Sequence, residues 1–432
     1  MASGERFEVA LRRTTRVARL DPRDAALTWE LAAGVTKRRR TLDAVLARFT
    51  VHPLRSLTPD VRCALRLGAY QLLFLDRVPP HSAVDESVRL VHRRSKRAAG
   101  FVNAVLRRVA MHGREALADL ASVEGAEGAA VRLSYPTWLV RSLQKEWGPS
   151  AAVALLEQGN LPAERCVRVQ EASAVEEAVR LLQRDGMTVR HPQWATAGLC
   201  PEALVVEGGS LEGSEAYQQG AVWPQSRASQ LVGRVAAAGM PPGVSIADLC
   251  AAPGGKAAHL QALLAPRHLL VVDVQRERVN DLRSTLRRLQ VRGADVRLAD
   301  ARRLPADLDG RFDLALVDAP CSGLGTLASK PDLRWRRRPS DSARLASLQR
   351  GLLLRAAKLV RPGGRVVYAV CTVTRVETVD VVAATLGRTP LALDDLGSAY
   401  PALRDARLGA ALLTWPPRDG TSGFFIARFR RV

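Results

Sequence analysis

Residues 312–326 read FDLALVDAPCSGLGT. The run FDLALVD (312–318) is short and mostly apolar, and it predicts a strand buried in a sheet. Asp318 and Cys321 stand where that strand ends. Four more short runs rich in β-branched and other apolar residues surround it: VSIADLC (244–250), HLLVVDV (268–274), DVRLAD (295–300) and GRVVYAV (364–370). Helical stretches separate several of them, which predicts a mostly parallel, doubly wound α/β sheet. Such sheets bind ligands at the carboxyl ends of their strands. The informative residues should therefore follow each run.

The first run leads into Cys250, Ala251, Ala252, Pro253, Gly254, Gly255 and Lys256. Glycines here let backbone approach a ligand and open the next helix. A phosphate-binding GxxxxGK[ST] loop is excluded, because Cys250 stands at the first glycine position and Ala257 follows the lysine. The GxGxxG dinucleotide pattern is also absent. The second run ends in Asp273, 18 residues after Gly255, where a carboxylate can accept from both ribose hydroxyls. The third ends in Asp300, placed to reach an adenine edge. Nucleoside recognition without phosphate recognition points to S-adenosylmethionine, a sulfonium cation that carries no phosphate.

Two strand-end cysteines suggest the chemistry. Cytosine C5 is a poor nucleophile. A thiolate added to C6 makes the ring enamine-like, so that C5 can take a methyl group. An acidic group near N3 must take up the developing charge, and Asp318 would serve. Cys321 and Cys371 both follow strands on the expected active edge. By chemistry alone the two are not ranked, although adjacency to Asp318 favours Cys321. Cys63, Cys166 and Cys200 have no such context and read as small hydrophobes. No CxxC pair or His cluster indicates a metal or a disulfide framework.

The chain has 432 residues, 47% of them hydrophobic, and a net charge of +21. That length fits two or three domains, and the charge favours a polyanionic partner, nucleic acid first. Only six lysines accompany the many arginines, so compositional bias contributes to the arginine count. The N-terminus lacks the apolar segment of a signal peptide, and no apolar stretch is long enough to span a membrane. A cytoplasmic protein is expected.

Residues 5–112 show helical periodicity, broken at Pro53, Pro59, Pro79 and Pro80. Residues 1–140 hold 24 basic and 14 acidic side chains. The basic runs include Arg93, Arg94, Arg97, Arg107 and Arg108. Residues 113–140 read as a linker, with LSYPTWLVRSLQKEWG opening a new unit. Up to about 220 a mixed α/β segment is expected, with strands RCVRVQ and MTVRH flanking the helix SAVEEAVRLLQRDG. After DAPCSG, Arg334, Arg336, Arg337 and Arg338 flank Trp335, a pattern suited to phosphates and exposed bases.

The stretch LRLGAYQLLFL, then VPPHSAVDESV, then GFVNAVLRRV resembles the NusB-type all-helical RNA-binding domain. DLCAAPGGK, DAPCSGLGT, KPDLRW, LVRPGG and YAVCTVTRVET together resemble the bacterial RsmB (Sun) family of rRNA cytosine-C5 methyltransferases. The resemblance covers nearly the whole chain. It implies that Cys371 attacks the base and Cys321 assists product release. It also implies that residues 250–256, Asp273, Asp300 and Asp318 line the cofactor site, with Lys256 in that loop. The sequence departs from the family pattern at Ser226, commonly Asp, at Ser422 before GFF, and at Thr372-Val373, commonly Ser-Ile. None of these removes a catalytic group.

The expected organisation is an all-α NusB-like domain (1–130), a small α/β RNA-binding or linker subdomain (131–220) and a Rossmann-like methyltransferase domain (221–432). The expected activity is methyl transfer from S-adenosylmethionine to C5 of a cytosine in 16S rRNA, by a monomer, with small-subunit rRNA as partner and without metal or membrane. Two rivals stand beside it: a methyltransferase of another RNA such as tRNA, and a non-catalytic rRNA-binding assembly factor.

Overall fold

A computed structural model describes residues 7–18, 20–92, 95–192 and 198–432. The chain forms two compact units. One comprises residues up to Pro162 together with Leu327–Arg337; the other comprises Ala163–Thr326 and Arg338–Val432.

The first unit is helical, with α1 (Phe7–Ala18), α2 (Pro22–Ala47), α3 (Pro59–Phe74), α4 (Pro80–His92), α5 (Lys96–Asp119), α6 (Gly125–Leu133), α7 (Thr137–Trp147) and α8 (Pro149–Gln158). Local chemistry sets several of these boundaries. Asp21 caps α2 by accepting from the Arg23 and Asp24 amides, and Ser95 caps α5 by accepting from the Ala98 amide. Pro22, Pro59 and Pro80 occupy first helical positions, where a missing N–H costs nothing. In α3 the residues Val61, Ala64, Leu65, Gly68, Ala69 and Leu73 recur at helical spacing and are buried. They pack in one core with Leu42, Val45 and Leu46 of α2 and Val102, Val105 and Leu106 of α5.

The stretch expected to be a linker, 113–140, is instead largely helical. Residues 113–119 lie inside α5, and α6 and the start of α7 account for most of the remainder. Its alanines and glycines imitate a linker in composition, but Ala129, Ala130 and Leu133 are buried. Small residues there are what allow close helix packing.

The second unit contains two sheets. In the smaller, strands β1 (Cys166–Val169), β2 (Thr188–Arg190), β3 (Ala203–Glu207) and β4 (Val222–Pro224) lie in the order β2-β3-β1-β4, all antiparallel. The two expected strands and the helix between them (Val175–Arg184) are present. β3 and β4 carry no alternation that marks them in the sequence. A buried charge cluster ties this sheet to the neighbouring helices. Arg168 on β1 is fully buried and donates to Gln225 and Gln170 at 2.9 and 2.8 Å. Glu202 lies between Arg234 at 2.5 Å and His259 at 2.8 Å.

The larger sheet contains β5 (Ser245–Asp248), β6 (His268–Asp273), β7 (Ala294–Leu298), β8 (Phe312–Asp318), β9 (Val360–Val370), β10 (Leu391–Leu393), β11 (Leu412–Thr414) and β12 (Phe424–Arg431). Its order is β10-β12-β9-β8-β5-β6-β7, with β11 paired to β12. β7, β6, β5, β8 and β9 run parallel, and β12 reverses the direction beside β9. The five runs read from the sequence are these five parallel strands. The chain order switches between β5 and β8, so the crevice at their carboxyl ends is where ligands bind in such sheets.

Candidate active site

Five strand ends build the candidate site. β5 ends in Asp248, 1% exposed, and continues into the loop 250–256. This loop is pinned to the sheet by Leu249 N–H to Leu316 O and Ala251 N–H to Val272 O, both 3.0 Å. Gly254 takes φ 111°, which disfavours a side chain. A Cβ on Gly255 would lie 2.4 Å from Trp223 Nε1, so the glycine lets β4 close against the loop. The helix Gly255–Leu264 then begins.

Lys256 and Asp318 meet across the crevice. Lys256 Nζ donates to Asp318 Oδ2 at 2.6 Å and lies 5.3 Å from the Phe424 ring centre. Both side chains are largely shielded from solvent. Asp273 accepts from the Gln275 amide at 3.1 Å and faces Arg278 at 3.3 Å; Arg278 also donates to Ala252 O at 2.6 Å. Asp300 is held in a fork by Arg302, with contacts of 3.0 and 2.6 Å, and that pairing lowers its pKa.

Asp248 has a different environment. Its Oδ1 accepts the Cys250 amide at 3.4 Å, while Oδ2 has no hydrogen-bond partner among the described residues. Burial, then the nearby charge of Asp318, raises its pKa to about 7. Asp248 was not among the expected site residues, yet it ends a strand as Asp273 and Asp318 do, and that shared position was the available signal. Burial and the same carboxylates push the Cys250 thiol well above its usual range.

The two cysteines come from different strands. β8 runs into Cys321 and β9 into Cys371, and their Sγ atoms are 3.2 Å apart. The loops are stitched by Ala319 N–H to Ala369 O and Gly325 N–H to Cys371 O, both 3.0 Å. The hydrogen bond with Cys371, then burial, holds the Cys321 thiol well above its ordinary pKa, with the Glu377 charge adding to it. Cys166 and Cys200 are buried in the hydrophobic core, and burial raises both thiols.

The expected departures are accommodated. Ser226 caps the helix Arg227–Ala237 by accepting the Ser229 amide at 3.3 Å, work that Ser and Asp perform alike. Thr372 keeps a hydroxyl 2.8 Å from that of Ser322. The Ser422 carbonyl accepts from Thr414 Oγ1 at 2.7 Å, a bond the side chain does not affect.

The basic residues separate into two groups. Arg97, Arg107 and Arg108 are exposed on α5, while Arg93 and Arg94 lie outside the described residues. Arg336 is also exposed and faces Asp332 at 3.2 Å; Arg337 is half-buried. Arg334 is a correction. It is fully buried over the Tyr135 ring, 4.0 Å from its centre, and donates to Lys37 O, Asn160 Oδ1 and Gly159 O. An arginine consumed by interior carbonyls anchors the segment 327–337 and cannot reach a phosphate. Trp335 likewise donates to Thr36 O at 2.7 Å.

Similarity to known proteins gives the family. Residues 241–430 match the family described as 16S rRNA methyltransferase RsmB/F, residues 2–111 the NusB family, and residues 135–207 the RsmF/B-like ferredoxin-like domain. The ribosomal RNA small subunit methyltransferase B of Pseudomonas putida is 31% identical over 418 residues, covering 96% of this chain and 92% of that protein. The chain belongs to the RsmB/F methyltransferase family. The RsmB relative of Cronobacter sakazakii is 32% identical over 387 residues, covering 88% of this chain and 86% of its own. The crystal structure of PH0851 superposes with a TM-score of 0.81 at 25% identity, covering 97% of this chain and 93% of that one. This RsmB/F protein is thus an rRNA methyltransferase with a NusB-like helical domain, a ferredoxin-like middle domain and a Rossmann-like catalytic domain. Among the described residues no helix is long and apolar enough to cross a membrane, and no cluster of three or more His, Cys, Asp or Glu is arranged to hold a metal ion.

Proposed function

We propose that this RsmB/F protein transfers a methyl group from S-adenosylmethionine to C5 of a cytosine in 16S rRNA, through a covalent cysteine–C6 adduct. The observation that carries the reading is the 3.2 Å approach of Cys321 and Cys371 beside the Lys256–Asp318 pair. Two thiols in contact serve a reaction in which one bonds to the base and the other handles a proton.

S-adenosylmethionine fits the residues at the strand ends. Asp273, Asp300 and Asp318 make the strand ends carboxylate-rich, which would repel phosphate, and Asp248 Oδ2 is a buried oxygen without a hydrogen-bond partner among the described residues. Asp273 would hold the ribose hydroxyls, Asp300 the adenine edge, and Asp248 with the loop 250–256 the remaining cationic part. When bound, the cofactor supplies an electrophilic methyl group on sulfur.

The chain's own residues do the rest. Cys371 Sγ, as the thiolate left when its proton passes to solvent, bonds to C6 of the cytosine. Asp318 and Lys256 take up charge at N3 as electron density moves into the ring. Once C5 is methylated, Cys321, acting as a thiolate after its own proton has passed to solvent, takes the C5 proton, and the C5–H bonding electrons re-form the C5–C6 double bond as the Cys371 Sγ–C6 bond breaks and Cys371 leaves as thiolate. The family resemblance ranks the two thiols, with Cys371 as nucleophile and Cys321 in the release step, and their 3.2 Å approach lets both act on one base. The target base must leave its stack to reach both groups. Exposed Arg97, Arg107 and Arg108, together with Arg336 and Arg337, are the proposed phosphate contacts.

The test is methyl transfer from labelled S-adenosylmethionine to protein-free small-subunit rRNA, with digestion to nucleosides. Label in 5-methylcytidine is the expected result. Label in another nucleoside would refute the cysteine mechanism. Label only on tRNA would move the substrate, and no label on any RNA would favour an assembly factor.

A further inference from the structure

Glu377 ends a single 3₁₀ turn (Arg375–Glu377), six residues beyond Cys371, and is completely buried. A buried carboxylate is costly unless donors surround it. Here they do. Oε1 accepts the Ser322 amide at 2.8 Å and Gln349 Nε2 at 3.2 Å; Oε2 accepts Thr374 Oγ1 at 3.1 Å. Gln349 also donates to Pro320 O at 2.9 Å. The Tyr368 hydroxyl, 2.6 Å from the Glu377 carbonyl oxygen and 3.0 Å from Gln349 Oε1, closes the network from β9.

The partners fall around the two cysteines. Pro320 and Ser322 flank Cys321 on either side, and one carboxylate oxygen reaches both, the first through Gln349. Thr374 belongs to the loop that begins at Cys371, and Thr372 in that loop meets Ser322 hydroxyl to hydroxyl at 2.8 Å. Glu377, Gln349, Tyr368 and Thr372 are all fully buried. The backbone hydrogen bonds between strands end near the cysteines, so this side-chain network continues the register beyond the sheet.

We propose that Glu377 is a positioning residue that holds Cys321 within reach of Cys371, and with it the release half of the reaction. The inference rests on the roles proposed above for the two cysteines. Glu377 sets the geometry through the loops: it accepts from Ser322, Gln349 and Thr374 and thereby fixes both thiols. Acceptance, rather than charge, is the requirement at Oε1. A glutamine whose carbonyl oxygen takes that place keeps the Ser322 and Gln349 bonds, and its amide can donate to Thr374 Oγ1.

Two readouts on the full chain test this. In RNA-free protein, diamide oxidises the two thiols to a disulfide while its azo bond is reduced to a hydrazine, and the rate reports the approach of Cys321 to Cys371. E377A is expected to slow that rate by about tenfold or more, and to lower kcat for methyl transfer by about a hundredfold with KM for RNA unchanged, the scale of an ångström of misplacement. E377Q is expected to restore both. Should E377A fail to fold, Gln349→Met removes the donor to Pro320 and is read in the same way. A folded E377A with wild-type disulfide rate and kcat overturns the proposal, as does an E377Q as impaired as E377A. Wild-type protein that makes no 5-methylcytidine would sink the reaction assigned above, while the diamide comparison would still decide the positioning.

Discussion

Asp248→Asn isolates the electrostatic character of the cofactor crevice. Asp248 is 1% exposed, and burial with Asp318 nearby raises its pKa from the ordinary 3.8 to about 7. Between those values the native state retains a proton that the unfolded chain has released. Stability therefore falls as pH rises from about 4 to about 7, and the loss is complete above that window. A gap of about three pH units corresponds to about 4 kcal/mol at most. From pH 5 to pH 8 the wild-type penalty grows by about 2–3 kcal/mol. The asparagine has no such penalty. Its amide nitrogen replaces an oxygen that already lacks a partner, and any cost of that kind is the same at both pH values. The difference in Tm between variant and wild type should thus shift in favour of the variant by about 4–6 °C between pH 5 and pH 8. Thermal unfolding of both proteins, without ligand, measures it. A difference in Tm that is constant across this range would refute the assignment of a raised pKa to this carboxyl.

Cys371→Ala should abolish methyl transfer, and full activity would overturn its role as nucleophile. Cys321→Ala should instead let a covalent RNA adduct accumulate, seen as a slowly migrating band; its absence would remove Cys321 from the release step. Binding to rRNA should weaken linearly in log K against log salt, with a shallower slope in an Arg97→Ala, Arg107→Ala double variant; a flat profile in the wild type excludes multiple phosphate contacts. Arg334→Ala should destabilise the helical unit by about 3 kcal/mol or more, because several buried carbonyls lose a charged donor, whereas Arg336→Ala should stay within about 0.5 kcal/mol. Urea unfolding of the two variants separates these, and equal stabilities would contradict the burial of Arg334.

β5, β6, β8 and the end of β9 were legible because a strand buried on both faces is continuously apolar and ends where polar ligand-binding groups begin, while β7, a partly buried edge strand with Asp295 and Arg297 in it, was legible from its place in the repeat of strand and helix. This is why Asp273, Asp300, Asp318, Cys321 and Cys371 stood out without coordinates. The helical caps at Asp21 and Ser95 are equally local. Linear sequence could not show that α6 is a packed helix, since its glycine and alanine content reads the same in a linker. It could not separate Arg334 from Arg336, two residues apart in one basic run, because burial is decided by Tyr135 and Asn160 far along the chain. Nor could it bring Cys321 to 3.2 Å from Cys371, or join Ser322, Gln349 and Glu377 around them. Periodicity and strand-end chemistry are local properties that the sequence carries by itself. Contacts between residues 28 to 55 positions apart exist only after the sheet has set β8 beside β9, because side chains reach a few ångströms and only tertiary packing places them within that distance.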